Sequence, residues 1–145
     1  MQSLPHVYKS SVQGAPENNL RVCAENLPDL EVAPPLQFDG PGGVWSPEEL
    51  FMASLSNCFV LSFRAIAKMS KLQWLTIQAE TEGDLDKAEG KIKFTKIRTT
   101  ARLVIPASES VEKAQRLLQK AEDACFVSNS VNSEKFFHAE VVVQE

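Results

Sequence analysis

Apolar residues recur through residues 46–69 without settling on one helical face. Leu50, Phe51, Leu55, Phe59, Leu61, Phe63, Ile66 and Met69 fall on more than one side of a helix. A helix apolar over so much of its circumference is expected to be buried on several sides. Its start carries three signals: Ser46 as N-cap, Pro47 at the first helical position, and Glu49 three residues after the serine. That is a capping box, in which hydroxyl and carboxylate each satisfy an orphan amide. No further proline and no glycine interrupts the segment.

On either side of this helix the period changes. Residues 6–13 predict a strand, closed by the turn-rich GAPENN at 14–19. Residues 20–25 alternate Leu20, Val22 and Ala24 against Arg21, Cys23 and Glu25, so the two segments predict a hairpin. Residues 26–45 hold Pro28, Pro34, Pro35, Pro41, Gly40, Gly42 and Gly43. They predict a long surface connection with one short extended piece near 36–38, and loops of this length are often functional. After the helix, residues 75–82 alternate again, and 83–90 read as a polar turn. Residues 91–105 predict a long strand whose apolar phase slips between Phe94 and Ile97, as one extra residue near Thr95 and Lys96, a bulge, would cause. Pro106 ends it. Ser108 is the expected cap of a second helix reaching about Ala124, with Val111, Ala114, Leu117, Leu118, Ala121 and Ala124 on one face. Residues 138–144 close the chain as a strand. The order β-β-α-β-β-α-β, with hairpinned strands, predicts an α+β fold: one domain over 1–145, its mostly antiparallel sheet packed on a long buried central helix.

Charge narrows the class. Fifteen basic residues stand against nineteen acidic ones, a net −4, with no basic stripe. This argues against a nucleic-acid or anionic-membrane surface. The opening MQSLPHVYKSS lacks the apolar run of a signal peptide. Residues 51–63, broken by Ser54, Ser56 and Asn57, read as too short and too polar to span a bilayer. The expected address is the cytoplasm. Three widely spaced cysteines are no secreted disulfide framework.

Of those cysteines, Cys58 lies halfway along the central helix. Its plainest reading is a small hydrophobe in a buried helix. A mid-helix position gains little from the helix dipole, so a reactive thiolate there needs a cation or hydrogen-bond donors from elsewhere. Cys125 ends the second helix and enters the polar FVSNSVNSE. Only the fold can bring the two together. Cys23 lies on the polar phase of its strand, with no evident partner. His6 and His138, with no Cys-x-x-Cys and no histidine pair at helical spacing, make a metal site a weak idea. There is no Gly-x-Ser-x-Gly turn, and GPGG at 40–43 is not followed by the Lys-Ser/Thr of a phosphate loop.

At these residues the chain resembles the OsmC/Ohr family, named for osmotic induction and organic hydroperoxide resistance. The likeness lies in the GPGG lead-in, in SPEELFMASLSNCF at 46–59, and in AEDACFVSNSV at 121–131. The order of elements agrees over essentially the whole chain. The resemblance implies an intertwined homodimer with active sites at the subunit interface, and a peroxidase of organic hydroperoxides serving the oxidative stress response. Cys58 then matches the peroxidatic cysteine and Cys125 the resolving one, a dithiol reductant restores both, and no metal, flavin or haem is required. Glu48 matches the family's acid, ten residues before the nucleophile. Ten residues of straight helix span roughly 15 Å, so Glu48 serves the thiol of another subunit unless the helix start bends. The family pairs that glutamate with an arginine from the first hairpin turn or from the loop before the helix. Here the turn reads APENN, and residues 26–45 hold neither Arg nor Lys. The nearest candidate is Arg21, which reads first as a solvated strand residue. The departure leaves a second reading open: a non-peroxidatic OsmC-like domain that binds a small apolar ligand or senses oxidants.

Overall fold

Two three-stranded sheets and two helices make up the regular structure of the computed structural model, which describes residues Met1–Glu145. The chain forms two compact units, Met1–Phe51 and Met52–Glu145.

In the first unit β1 (Ser11–Gln13), β2 (Leu20–Cys23) and β3 (Leu30–Val32) pair antiparallel in that order. The expected hairpin is present, with Ser11 opposite Cys23 and Gln13 opposite Arg21, but its strands are shorter than the expected 6–13 and 20–25. The extended piece lies elsewhere than expected. Residues 36–38 form a 3-10 turn, and the added strand is β3, which pairs Leu20 with Val32. Val32 and Ala33 are buried, and the Ala33 amide donates to the Trp45 carbonyl at 3.0 Å. The paired prolines end β3, and the turn then folds back tightly. A Cβ on Gly40 would stand 1.7 Å from the Pro34 carbonyl oxygen, so only glycine fits.

Helix α1 runs Pro47–Met69. The Glu49 amide donates to Ser46 Oγ at 3.1 Å, and the Leu50 amide to the Ser46 carbonyl at 2.9 Å, the N-cap expected from the sequence. Leu55, Phe59, Phe63 and Ala67, one per turn, form its buried stripe. The expected burial on several sides is not met within one chain, for Leu61 is 57% and Met69 82% exposed. The helix fills the expected span, but the reading of residues 51–63 as too short and too polar for a bilayer does not hold. Since it continues unbroken through Ser54, Ser56 and Asn57, it is long and apolar enough to cross a membrane by length and composition. Its buried stripe is spent on the core of the second unit.

That unit holds β4 (Thr76–Ala88), β5 (Lys91–Pro106), α2 (Val111–Ala124) and β6 (Glu134–Gln144). β4 and β5 form a long antiparallel hairpin. Residues 83–88, expected as turn, are strand: their polarity reflects exposure, and the reversal needs only Glu89 and Gly90, at φ 52° and 78°. Asp84 pairs with Lys96 and Leu85 with Phe94, which leaves Thr95 as the extra residue of the expected bulge. The closing strand begins earlier than expected, at Glu134, and pairs parallel to β5, from Lys96 opposite Glu134 to Pro106 opposite Gln144. It is the one parallel pair of strands, and α2 is the crossover that permits it. The α2 N-cap is Ser110 rather than Ser108, with the Lys113 amide on Ser110 Oγ at 3.1 Å. A turn closed by the Glu109 amide on the Pro106 carbonyl occupies Ser108. The core joins Phe59, Phe63 and Ala67 of α1, Leu103 and Ile105 of β5, and Leu117 and Leu118 of α2.

Candidate active site

Cys58 precedes the fully buried Phe59 on α1 and is half-buried. One helical turn later the Ser62 hydroxyl, on the same face, donates to its sulfur. The remaining partners come from the far end of α2. There Cys125 is the C-cap, in extended backbone (φ −66°, ψ 115°), with its amide on the Glu122 carbonyl at 3.3 Å. The chain then turns into a 3-10 segment, Ser128–Ser130, closed by the Asn129 amide on the Cys125 carbonyl at 2.9 Å. This turn presents its backbone inward. The amides of Phe126 and Val127 donate to Cys58, that of Ser128 donates to Cys125, and the two thiols are hydrogen-bonded to each other.

The two sulfurs share one pocket of the fold and ionise in opposite senses. Burial pushes the Cys58 thiol up, but donors from Val127, Cys125, Ser62 and Phe126 outweigh it, and Cys58 ionises below the ordinary thiol value. None of these four donors is a cation. Cys125, only 1% exposed, is pushed up to about 11. Burial is the largest cause; the Ser128 amide opposes it, while the bond to Cys58, the Cys58 charge and the Glu122 carboxylate reinforce it. The pair therefore holds its first negative charge on Cys58 and its proton on Cys125. Chemically this is a nucleophilic thiolate beside a protonated thiol.

Glu48 stands in the first turn of α1, ten residues and roughly 15 Å of helix rise from Cys58. Its Oε2 is out of solvent and has no hydrogen-bond partner. Arg21, 59% exposed, lies on β2 with Nε 3.5 Å from Asp29 Oδ2 and a 2.9 Å bond to Gln13. Its partners belong to its own small sheet. Cys23 is half-buried opposite Ser11. His6 bonds within the N-terminal segment, to Tyr8 and Gln2, and His138 lies on β6 opposite Thr100. A hollow of about 600 Å³ over the sheet, lined by Gln78, Glu80, Thr100, Arg102, His138 and Glu140 among others, contains neither thiol. It is a solvated, charged sheet face.

Three contributors escaped the sequence reading. Ser62 could have been found, since it stands four residues after Cys58 on a predicted helix. The amides of residues 126–128 have no side-chain signature. Glu122 looks like one more polar position on an amphipathic helix.

The sequence model of the OsmC-like protein family matches residues 40–139. The chain is 27% identical over 100 residues to the uncharacterized protein YmaD of Bacillus subtilis, an alignment covering 67% of each chain. Among solved structures it resembles an OsmC-like protein of unknown function from Vibrio cholerae, at 18% identity and a TM-score of 0.84, over 95% of this chain and all of that one. It also resembles an organic hydroperoxide resistance protein from Elizabethkingia anophelis, at 24% identity and a TM-score of 0.75, over 97% and 99% of the two chains. At such identities these two structures speak for the fold alone.

Proposed function

The chain belongs to the OsmC-like protein family, and from that footing we propose that it is a thiol peroxidase that reduces organic hydroperoxides through Cys58 and Cys125. The observation that carries this reading is the hydrogen-bonded pair of thiols, one ionising below the ordinary value and the other well above it. An inert buried cysteine has no need of four hydrogen-bond donors converging on its sulfur.

In the proposed cycle the Cys58 thiolate attacks the distal oxygen of the hydroperoxide. A sulfur–oxygen bond forms, the oxygen–oxygen bond breaks, and the alkoxide leaves as the alcohol after taking a proton. Cys58 is now a sulfenic acid. Cys125 attacks it: the disulfide forms, the sulfur–oxygen bond breaks, and the hydroxyl departs with the Cys125 proton as water. A dithiol returns two electrons by exchange and restores both thiols. Such a cycle suits a reducing compartment, the cytoplasm. The job that a guanidinium would do at Cys58 falls to backbone amides, a hydroxyl and the neighbouring thiol, since hydrogen bonds to the charged form favour it as a nearby cation does.

The same reading takes the protein to be a homodimer in which Glu48 serves the thiol of the second subunit. The length of helix between Glu48 and Cys58, the unpartnered Glu48 Oε2 and the apolar α1 residues left uncovered in one chain support it.

The experiment is direct. Reduced protein receives one equivalent of cumene hydroperoxide, is quenched with a thiol alkylator, and its cysteines are mapped by mass spectrometry. The expected product is a Cys58–Cys125 disulfide formed well ahead of any change at Cys23. Unoxidised, fully alkylated thiols would defeat the peroxidase reading and favour the ligand-binding one.

A further inference from the structure

Glu122 is a half-buried carboxylate that the proposed cycle does not use. It sits in the last turn of α2, and its carbonyl accepts the amide of Cys125. Its side chain is held on the same side: Ser128 Oγ donates to Glu122 Oε1 at 3.1 Å, and Ser128 is the residue whose amide reaches the Cys125 sulfur. Lys135 Nζ, from β6, donates to the Ser128 carbonyl and completes the clamp. The remaining titratable neighbour is Asp123 on its own helix, whose Oδ1 accepts from Gln119 at 3.0 Å. Leu55 of α1 and Thr99 of β5 supply uncharged wall. On the outer side Glu122 and Lys135 border an open cleft of about 410 Å³. The carboxylate thus borders the cleft and is tied through Ser128 to the residue whose amide reaches Cys125.

Of the two sulfurs Cys58 gives up its proton first, and the one that does so is the nucleophile. Amide donors converge on Cys58, whereas a carboxylate stands behind Cys125. A negative charge beside a thiol disfavours its ionisation. Building on the peroxidase reading, we propose that Glu122 is a positioning residue that reinforces the polarity of the pair: its carboxylate, held by Ser128 beside the turn that follows Cys125, adds to burial in keeping the proton on Cys125 and thereby helps to reserve Cys58 as the nucleophile. Cys125 is then left as a thiol that donates to the Cys58 sulfur and cannot compete with it for an electrophile.

The test needs no hydroperoxide. Reduced protein is treated with limiting iodoacetamide across a pH series, and the ratio of Cys58 to Cys125 alkylation is read by mass spectrometry for the unmodified chain, Glu122→Gln and Glu122→Asp. Glutamine keeps the shape and still accepts from Ser128 but has no charge; aspartate keeps the charge on a shorter arm. The expected result is a preference for Cys58 that falls several-fold in Glu122→Gln and survives in Glu122→Asp, with the Cys125 pH profile moving down only in the glutamine variant. An unchanged ratio in Glu122→Gln overturns the proposal. So does a loss in Glu122→Asp, which would mean that fit rather than charge matters. If the glutamine–aspartate contrast holds while hydroperoxide leaves the unmodified protein unoxidised, only the peroxidase reading falls.

Discussion

A sulfur anion in the middle of a helix depends on what other segments bring to it, and here the largest favourable contribution is the amide of Val127. That dependence can be broken at one atom. Val127 lies at φ −68° and ψ −44°, a φ that proline adopts without strain. Val127→Pro therefore deletes the N–H while leaving the local angle alone. In a Cys23→Ser background, thiolate absorbance is expected to rise in two steps, the first below the ordinary thiol range and the second near 11, as befits an interacting pair. In Val127→Pro the first step should move up, and hydroperoxide consumption at neutral pH should fall roughly tenfold. An unmoved first step in a folded variant would remove the amide from the account. At this scale the family pattern drew attention to Cys58 and Cys125, whose thiols the fold sets beside each other, and to Glu48, whose role rests on the proposed homodimer; the lack of positive residues in 26–45 was visible as well. What takes the place of a cation was not legible, because a backbone amide is present at nearly every position and only the turn after Cys125 aims three of them at sulfur.

At the scale of elements, periodicity carried the reading as far as one face of each element stayed dry. The α1 cap, the bulge at Thr95 and the amphipathic α2 were all readable because apolar phase or capping chemistry marks them. Periodicity failed where the chain is polar on both faces. Residues 83–88 look like a turn yet pair through Ala88, because a hairpin arm largely exposed on both faces carries no apolar alternation. The cap of α2 was misplaced for a related reason, since both Ser108 and Ser110 are good N-caps and only the turn on Pro106 decides between them. Mutation separates the two. Ser110→Ala should cost about 1 kcal/mol in urea unfolding, as loss of an N-cap does, whereas Ser108→Ala should stay within about 0.5 kcal/mol. Equal costs at the two serines would contradict the capping geometry.

For the whole molecule the open question is whether Glu48 serves a thiol at all, since its own helix holds Cys58 roughly 15 Å away. A buried carboxylate oxygen without a partner is costly, and a straight helix gives it no route to Cys58 of the same chain. The proposed homodimer makes a distinctive demand. If each site takes Cys58 from one subunit and Glu48 from the other, then Glu48→Gln and Cys58→Ser should each impair the pure homodimer and complement each other when mixed. The mixed dimer carries one site with both residues intact and one with neither. Random pairing of equal amounts makes about half the dimers mixed, so co-expressed or co-refolded subunits should recover about a quarter of the unmodified peroxidase activity. With both residues acting within one chain, mixing would restore nothing, because the subunit that keeps Cys58 would always lack Glu48. The recovery must also track the mixed species when tagged dimers are separated. Activity confined to that fraction would assign Glu48 to the partner's thiol, whereas activity in proportion to the Glu48→Gln homodimer would return it to its own chain.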